Sequence, residues 1–266
     1  MADQPKHTFV VLAYKESAYL ETCIKSVLNQ KYPSHVVVGT STPNDYISGL
    51  AQRYGLEVLV NEGSKGIGYD YDFAIMCGKT ELVTVAHQDD FYDYMYADRV
   101  VKEYENANDP LIVFPDYYVI KNGTRYPSDV NLVIKRLLLA PLRLKVLRGS
   151  RFWKRWVLRF GDPICCPAVA YVRSRMSFPV CASDDLVCSV DWLGYERLSN
   201  VPGEFVFLPD RLMGHRIHGD STTSKTIGAD RRTDEDIYML VKFWPAWLAK
   251  AIAVVYKSSE LANSVA

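Results

Sequence analysis

Leu82-Val83-Thr84-Val85-Ala86-His87-Gln88-Asp89-Asp90 is an apolar run, rich in β-branched residues, that stops on two adjacent carboxylates. Its composition predicts a buried strand, and the acids at its C-terminal end lie where an open α/β sheet keeps its ligands. Neighbouring acids are hard oxygen donors of the kind Mg2+ or Mn2+ takes, and such ions keep positions open for the phosphates of a substrate. The same pair also suits a turn or a helix cap, so the flanking sequence has to decide.

Upstream, Thr8 to Ala13 reads as a first strand and Ala18 to Asn29 as a helix, with Leu20, Ile24, Val27 and Leu28 on one face and Glu21 and Lys25 on the other. His35 to Val38 is a second strand, Tyr46 to Tyr54 a second helix stopped by Gly55, and Leu56 to Val60 a third strand. The glycine-bearing stretch Asn61-Glu62-Gly63-Ser64-Lys65-Gly66-Ile67-Gly68 permits close backbone approach to a ligand, or a turn. Strands alternating with helices in this way predict a mainly parallel sheet.

A first strand closing on Ala13-Tyr14-Lys15-Glu16 is followed by a helix of the form Leu-x-x-x-Ile-x-Ser-Val-Leu-x-Gln over Leu20 to Gln30. With the polar loop after the second strand and a fourth strand ending on Asp89-Asp90, this order resembles the nucleotide-binding half of family 2 glycosyltransferases over about the first hundred residues. The resemblance implies a GT-A-type α/β fold, a Rossmann-like mainly parallel sheet flanked by helices, that binds a nucleoside diphosphate sugar, most often a UDP-sugar, with Mn2+ or Mg2+. It implies that Ala13, Tyr14 and Glu16 approach the base and ribose. The family usually ends its second strand on Asp-Asp-Gly-Ser; here Gly39-Thr40-Ser41-Thr42 leaves Thr40 or Ser41 to hydrogen-bond a pyrimidine. Asp89 matches the metal ligand of the family's Asp-x-Asp, His87 stands where an acid contacts ribose, and Gln88 and Asp90 complete the nucleotide-sugar set around it. Asp72 occupies a position where the family commonly has Asn near the nucleotide; with Asp70 it also suits the positive end of a helix dipole.

Two later stretches carry the resemblance further. Val190-Asp191-Trp192-Leu193-Gly194-Tyr195-Glu196-Arg197-Leu198 is similar to the family's Glu-Asp-x-x-Leu-x-x-Arg-Leu helix, which makes Asp191 the candidate general base, with Asp184 and Asp185 as nearby rivals. Met213 to Ser224 is similar to a late Tyr-Arg-x-His-x-x-Ser element, and by that match His218 approaches the metal and Arg216 the diphosphate. The expected organisation is a GT-A domain over 1–230, its nucleotide-binding half about 1–100, and a C-terminal helical extension over 231–266.

Between Asn131 and Gly161 the character changes. Lys135, Arg136, Arg143, Lys145, Arg148, Arg151, Lys154, Arg155 and Arg159 stand without one acid among Leu, Val, Phe and Trp, and Pro141 and Gly149 predict a split into two short helices. A solvated helical face accounts for part of this; the whole is the composition of a basic amphipathic segment that lies in a membrane interface and attracts anionic lipid. The aromatic tail from Asp236 to Tyr256 suits packing on this segment, homodimer formation or a shared membrane contact.

The 266 residues carry a formal net charge of +0, so no global field attracts nucleic acid. No apolar run has transmembrane length and the first residues are not a signal peptide, so the expected location is cytoplasmic, peripheral on the inner face of the plasma membrane. Six cysteines lack metal-ligand spacing and are expected as reduced, buried side chains. The expected activity is an inverting, metal-dependent transfer from a nucleotide-sugar to a glycan or lipid-linked glycan acceptor in surface polysaccharide assembly. A nucleotidyltransferase of similar fold, and a non-enzymatic membrane-surface adaptor that needs only the basic segment, are the alternatives.

Overall fold

The structure, a computed structural model, describes residues 4–218 and 229–254. Residues 219–224 of the late motif and the tail beyond 254 lie outside the described residues. Strands β1 (His7–Ala13), β2 (His35–Thr40), β3 (Glu57–Val60) and β4 (Leu82–His87) run parallel in the order β3-β2-β1-β4. Parallel neighbours need a crossover, here supplied by helices α1 (Leu20–Leu28), α2 (Asp45–Arg53) and α3 (Ile67–Met76). Alternate residues of β1 enter opposite apolar clusters, Phe9 and Val11 one and Val10 the other, so the strand is covered on both faces and reads as a continuous apolar run.

The second half extends the same sheet with β5 (Phe91–Tyr92), α4 (Tyr96–Glu105), β6 (Pro110–Lys121), β7 (Thr124–Tyr126), β8 (Ala170–Val172), α8 (Val190–Ser199) and β9 (Glu204–Ile217). The order continues β4-β8-β6-β9-β5, with β7 on β6. β8 is antiparallel to β4 and β6, whereas β6 and β9 pair in parallel along nearly their whole length. Sequence periodicity finds only Leu111 to Phe114 of the twelve-residue β6 and none of β9. Where β5 meets β9, Phe91 pairs with Gly214, and a Cβ on Gly214 would lie 2.6 Å from the Tyr118 ring, so only glycine lets β9 pass there.

The basic segment forms more pieces than the two predicted: α5 (Val130–Leu139), a 3-10 turn over Ala140–Arg143, α6 (Lys145–Arg148) and α7 (Arg151–Leu158). The last elements are α9 (Ala229–Val241) and a helix over 246–254. Met239, Leu240, Ala249 and Ala253 join the same apolar cluster as Leu158 and Tyr195, and Trp244 Nε1 donates to Arg159 O at 2.7 Å. Of the fates left open for the tail, the described part takes packing on the basic segment. All six cysteines are free, three of them buried. Among the described residues no helix is long and apolar enough to cross a membrane.

His7 lies buried in β1 between Ser34 Oγ at 2.9 Å and Thr84 Oγ1 at 2.8 Å. Burial pushes its imidazole down to about 3, so the folded protein keeps it neutral while the unfolded chain binds a proton below about pH 6.5. This contribution to stability is complete above the unfolded pKa and is lost as pH falls from there towards the folded one, at up to about 1.4 kcal/mol per pH unit. Urea unfolding between pH 6 and 4.5 is expected to show His7→Gln losing stability less steeply than wild type by about that slope; parallel curves would dismiss a neutral buried His7.

Candidate functional site

The C-terminal ends of β1, β2 and β4 open on one edge of the sheet, where three loops are tied to each other. Gln88 and Tyr14 exchange hydrogen bonds, Tyr14 N–H to Gln88 Oε1 at 3.1 Å and Gln88 Nε2 to Tyr14 O at 2.9 Å. Lys15, in the left-handed region at φ 53°, donates its N–H to Thr42 Oγ1 at 2.7 Å. Ala13 is buried beneath this loop, while Tyr14 and Glu16 stand exposed at its mouth. Of the expected base-and-ribose residues, Tyr14 and Glu16 are therefore accessible, on a backbone that Gln88 fixes.

At the end of β2 the structure redistributes roles. Thr40 is fully buried, its hydroxyl accepting from Thr42 N–H at 3.0 Å. Ser41 Oγ donates to Asp70 Oδ2 at 2.7 Å, and Asn61 Nδ2 donates to Asp70 Oδ1 at 2.8 Å. Asp70, expected as a helix-end acid, is thus the carboxylate beneath this loop. Asp72, expected near the nucleotide, points away from it: its two oxygens accept from Val180, Cys181 and Ala182 N–H at 3.0, 2.8 and 3.1 Å. That assignment is corrected on geometry, because three backbone donors already surround the Asp72 carboxylate.

The adjacent acids after β4 divide in the same manner. Asp90 is buried and turns inward, Oδ1 accepting from Arg216 N–H at 2.8 Å with His215 Nδ1 at 3.2 Å. It organises the end of β9, while its Oδ2 has no hydrogen-bond partner and lies 4.0 Å from His87 Nδ1. Burial alone pushes the His215 imidazole down, but the charge and hydrogen bond of Asp90 outweigh it and the net shift is upward. Asp89 faces outward. Its Oδ1 accepts from Ser17 Oγ at 2.7 Å, its Oδ2 lies 3.3 Å from His218 Nε2, and its backbone O accepts from Arg216 Nε at 2.8 Å. The Arg216 guanidinium sits 4.4 Å from the Tyr19 ring centre, and Tyr19 also packs on the His218 ring.

His218 Nε2 is buried and makes no well-aligned hydrogen bond. Two donors 3.3 Å apart fit neighbouring positions on an octahedral ion, which at ligand distances of 2.0–2.1 Å lie roughly 3 Å from each other. Among the described residues no cluster of three or more His, Cys, Asp or Glu is poised to hold a metal. A carboxylate and an imidazole therefore fit an ion that takes its other ligands from water and substrate oxygens.

Asp191 lies in the first turn of α8, half-buried, with Oδ1 accepting from Trp192 N–H at 2.9 Å. Burial pushes its carboxyl up, against the pull of that backbone donor, Lys135 and His87. Asp162 was not anticipated: Oδ1 accepts from Ile164 N–H at 2.9 Å, Oδ2 has no partner, and burial together with the Asp191 charge raises it well above the carboxylate range. His87 is the last residue of β4. Burial lowers its imidazole, while the charges of Asp90, Asp89 and Asp191 oppose that shift. Asp184 and Asp185 are exposed, and Asp184 accepts from the Tyr69 hydroxyl, so the rivals lie outside this cluster. The N-terminus of α8 is braced by Glu235 of α9, whose oxygens accept from Val187, Cys188 and Ser189 N–H at 3.0, 2.7 and 3.0 Å. No local pattern marks His215 or Glu235, since their partners are distant in sequence.

The basic segment is less free than its composition implies. Arg136 binds Asp116 at 2.6 Å, Arg148 the carbonyls of Leu142 and Phe207, and Lys154 the carbonyls of Val201 and Gly203. Arg155 pairs with Glu196, Arg151 with Asn200 Oδ1, and Arg159 stacks 3.8 Å from the Trp244 ring centre. These cations turn to the protein. Lys154 is buried enough to be pulled down to about 8.

The sequence profile of Glycosyl transferase family 2 matches residues 8–174, more than half of the chain, and the chain belongs to that family. No curated protein sequence is matched. Among solved structures, the chain is similar to S. aureus TarS 1-349 in complex with UDP-GlcNAc, at TM-score 0.61 and 14% identity over 93% of this chain and 70% of that one. It spans 41% of the length of the longer TarS chain. A mannosyltransferase of Pyrobaculum calidifontis in complex with GDP-Man and Mn2+ aligns at TM-score 0.60 and 13% identity, over 99% and 80% of the two chains. Glucosyl-3-phosphoglycerate synthase of Mycobacterium tuberculosis with UDP aligns at 0.54 and 17%, over 90% and 80%. At these identities the likeness shows the fold. The profile ends before Asp191 and His218.

The brace on α8 has a measurable consequence. Glu235→Ala leaves three backbone donors unpaired and is expected to cost roughly 2–4 kcal/mol. Glu235→Gln, which retains an acceptor for Cys188 and Ser189, should lose less than half as much. Urea midpoints read the difference, and unchanged midpoints in both variants would remove Glu235 from this role.

Proposed function

We propose that this glycosyl transferase family 2 chain moves a sugar, with inversion, from a nucleoside diphosphate sugar to an acceptor hydroxyl, with Asp191 as general base. One observation carries the reading. At a single sheet edge, the outward acid Asp89 lies 3.3 Å from His218 Nε2, which makes no well-aligned hydrogen bond, and the Arg216 side chain is held on Asp89 O beside them.

Tyr14, Glu16, Ser41 and Asp70 are assigned to the nucleoside, Ser41 presented by the carboxylate beneath it. UDP is the preferred diphosphate because Ser41 suits a pyrimidine edge and because two of the solved relatives above are described with UDP or UDP-GlcNAc. Arg216, held by Asp89 O and stacked on Tyr19, presents its remaining N–H groups to the diphosphate. Asp89 and His218 would hold Mn2+ or Mg2+, which would supply positive charge beside the departing diphosphate. The acceptor oxygen attacks the anomeric carbon as the bond to the diphosphate oxygen breaks, and its proton passes to the Asp191 carboxylate. The raised affinity of Asp191 for a proton suits a base that must accept one near neutrality. The acceptor is assigned as a glycan hydroxyl, borne on a lipid diphosphate at the inner membrane face during surface polysaccharide assembly.

Thermal shift with UDP, GDP, CDP, dTDP and ATP, each with Mn2+ and with EDTA, tests the donor site. At a hundred times its dissociation constant UDP should stabilise the fold by about 2.7 kcal/mol with Mn2+, and Asp89→Ala should lose the metal-dependent part. No shift with any diphosphate would end the transferase reading.

Asp191→Asn is expected to reduce transfer from a UDP-sugar by about a hundredfold or more while leaving UDP binding unchanged. Because Asp191 must be ionised to accept a proton, the wild-type rate should fall with acid along a limb lying above the ordinary carboxylate pKa of about 3.9. Unchanged turnover in the variant would move the base elsewhere.

A further inference from the structure

Helix α5 wears its apolar stripe outward. Val130, Val133, Ile134 and Leu137 fall at i, i+3, i+4 and i+7 and are 72%, 45%, 51% and 69% exposed. A surface helix in water ordinarily turns such a stripe to the core. This one cannot roll over, because its opposite side is bolted down. Arg136 donates to Asp116 Oδ2 at 2.6 Å and to the carbonyls of Tyr117 and Pro127 at 3.0 and 2.9 Å, while Leu132 and Leu139 are buried. Past the 3-10 turn the apolar exposure continues through Leu144 and Val146, the latter 87% exposed.

The exposed charge along this face is mainly positive. Arg143 and Lys145 flank Leu144 and are exposed, and no acid occurs from 131 to 161. The nearest acid, Asp129, is engaged as the cap of α5, accepting Leu132 N–H at 2.8 Å. On the protein side α5 carries Lys135, 5.7 Å from the Tyr117 ring centre and among the charges acting on Asp191 and Asp162. One helix thus joins an exposed apolar face to the neighbourhood of the proposed base.

We propose that the outward face of α5 and α6 is a bilayer-docking surface. Val130, Ile134, Leu137 and Val146 enter the acyl boundary of an anionic membrane, and Arg143 and Lys145 lie at its headgroups. The partner is a lipid surface because an apolar stripe with Arg143 and Lys145 exposed at its edge complements a layer that is apolar within and anionic at its rim. The inference rests on the reading of a lipid-borne acceptor: docking on this face brings a headgroup-level hydroxyl to the Lys135 and Asp191 side of the same helix.

Co-sedimentation with vesicles of phosphatidylcholine, alone and mixed with phosphatidylglycerol, tests it, with UDP–Mn2+ thermal shift run in parallel on every variant. Wild type should partition onto the mixed vesicles. Leu137→Asp/Val146→Asp should partition about tenfold less or lower still on both kinds. Arg143→Gln/Lys145→Gln should lose roughly tenfold on the mixed vesicles only. All should keep the wild-type response to UDP, since none of these residues lines the donor site. Absence of wild-type binding, or undiminished binding by the aspartate variant, would overturn the proposal. So would a wild-type dimer that the aspartate variant dissociates, because a second copy would then own the face. Vesicle binding that persists in a protein with no UDP response would support the docking surface and sink only the transferase reading.

Discussion

The Asp90 carboxylate is the constraint on which the site depends. It sits buried at the end of β4 and takes the Arg216 backbone N–H and the His215 ring from the far end of β9, more than a hundred residues later. A carboxylate withdrawn from water costs several kcal/mol unless charge-assisted hydrogen bonds offset it, so this contact admits few alternative arrangements. Fixing the Arg216 backbone also fixes the direction of its near neighbours. Residues two apart in extended backbone share a face, so Arg216 and His218 both turn to Asp89, the one onto its carbonyl and the other beside its carboxylate. Inward Asp90 is thereby what sets His218 beside outward Asp89.

The same device recurs where the chain has no regular structure. Between residues 179 and 189 the backbone forms neither strand nor helix, and its N–H groups need partners. Asp72 collects three at one end and Glu235 three at the other, while Arg197 donates to the carbonyls of Val180 and Ala182. Gly68 lets α3 approach closely, since a Cβ there would lie 2.5 Å from Cys181 O. The segment is rigid for these reasons, and the orientation of α8, with Asp191 in its first turn, is inherited from it.

Much of the first hundred residues was legible because the signals there are local. Apolar runs, helical spacing and the acids closing β4 are read within windows of ten residues. The later strands were not, because β6 carries Pro115 and Asp116 at its register breaks and β9 carries Pro209 and Asp210, residues that read as loop. Asp70 and Asp72, alike in sequence, take different partners for a related reason. Two residues apart on a helix lie about 200° apart around its axis, so one faces β2 and the other the 180–182 backbone, and no local pattern says which. His215 and Glu235 were illegible because each acts on a group distant in sequence.

The basic segment shows why composition and placement are different observables. Arginine and lysine have the reach to satisfy buried carbonyls and carboxylates, and Arg136, Arg148, Lys154 and Arg155 are used in that way, as internal fasteners for short helices that could not otherwise hold their positions. Once they are turned inward, the surface they leave is apolar, and its net charge rests on a few residues such as Arg143 and Lys145. An interface of this kind draws its strength from apolar area and its preference from charge. Salt, which screens charges beyond about a Debye length, weakens the preference and leaves the area term standing. A count of cations would have predicted the reverse, an attraction that salt abolishes. The difference follows from where six side chains point.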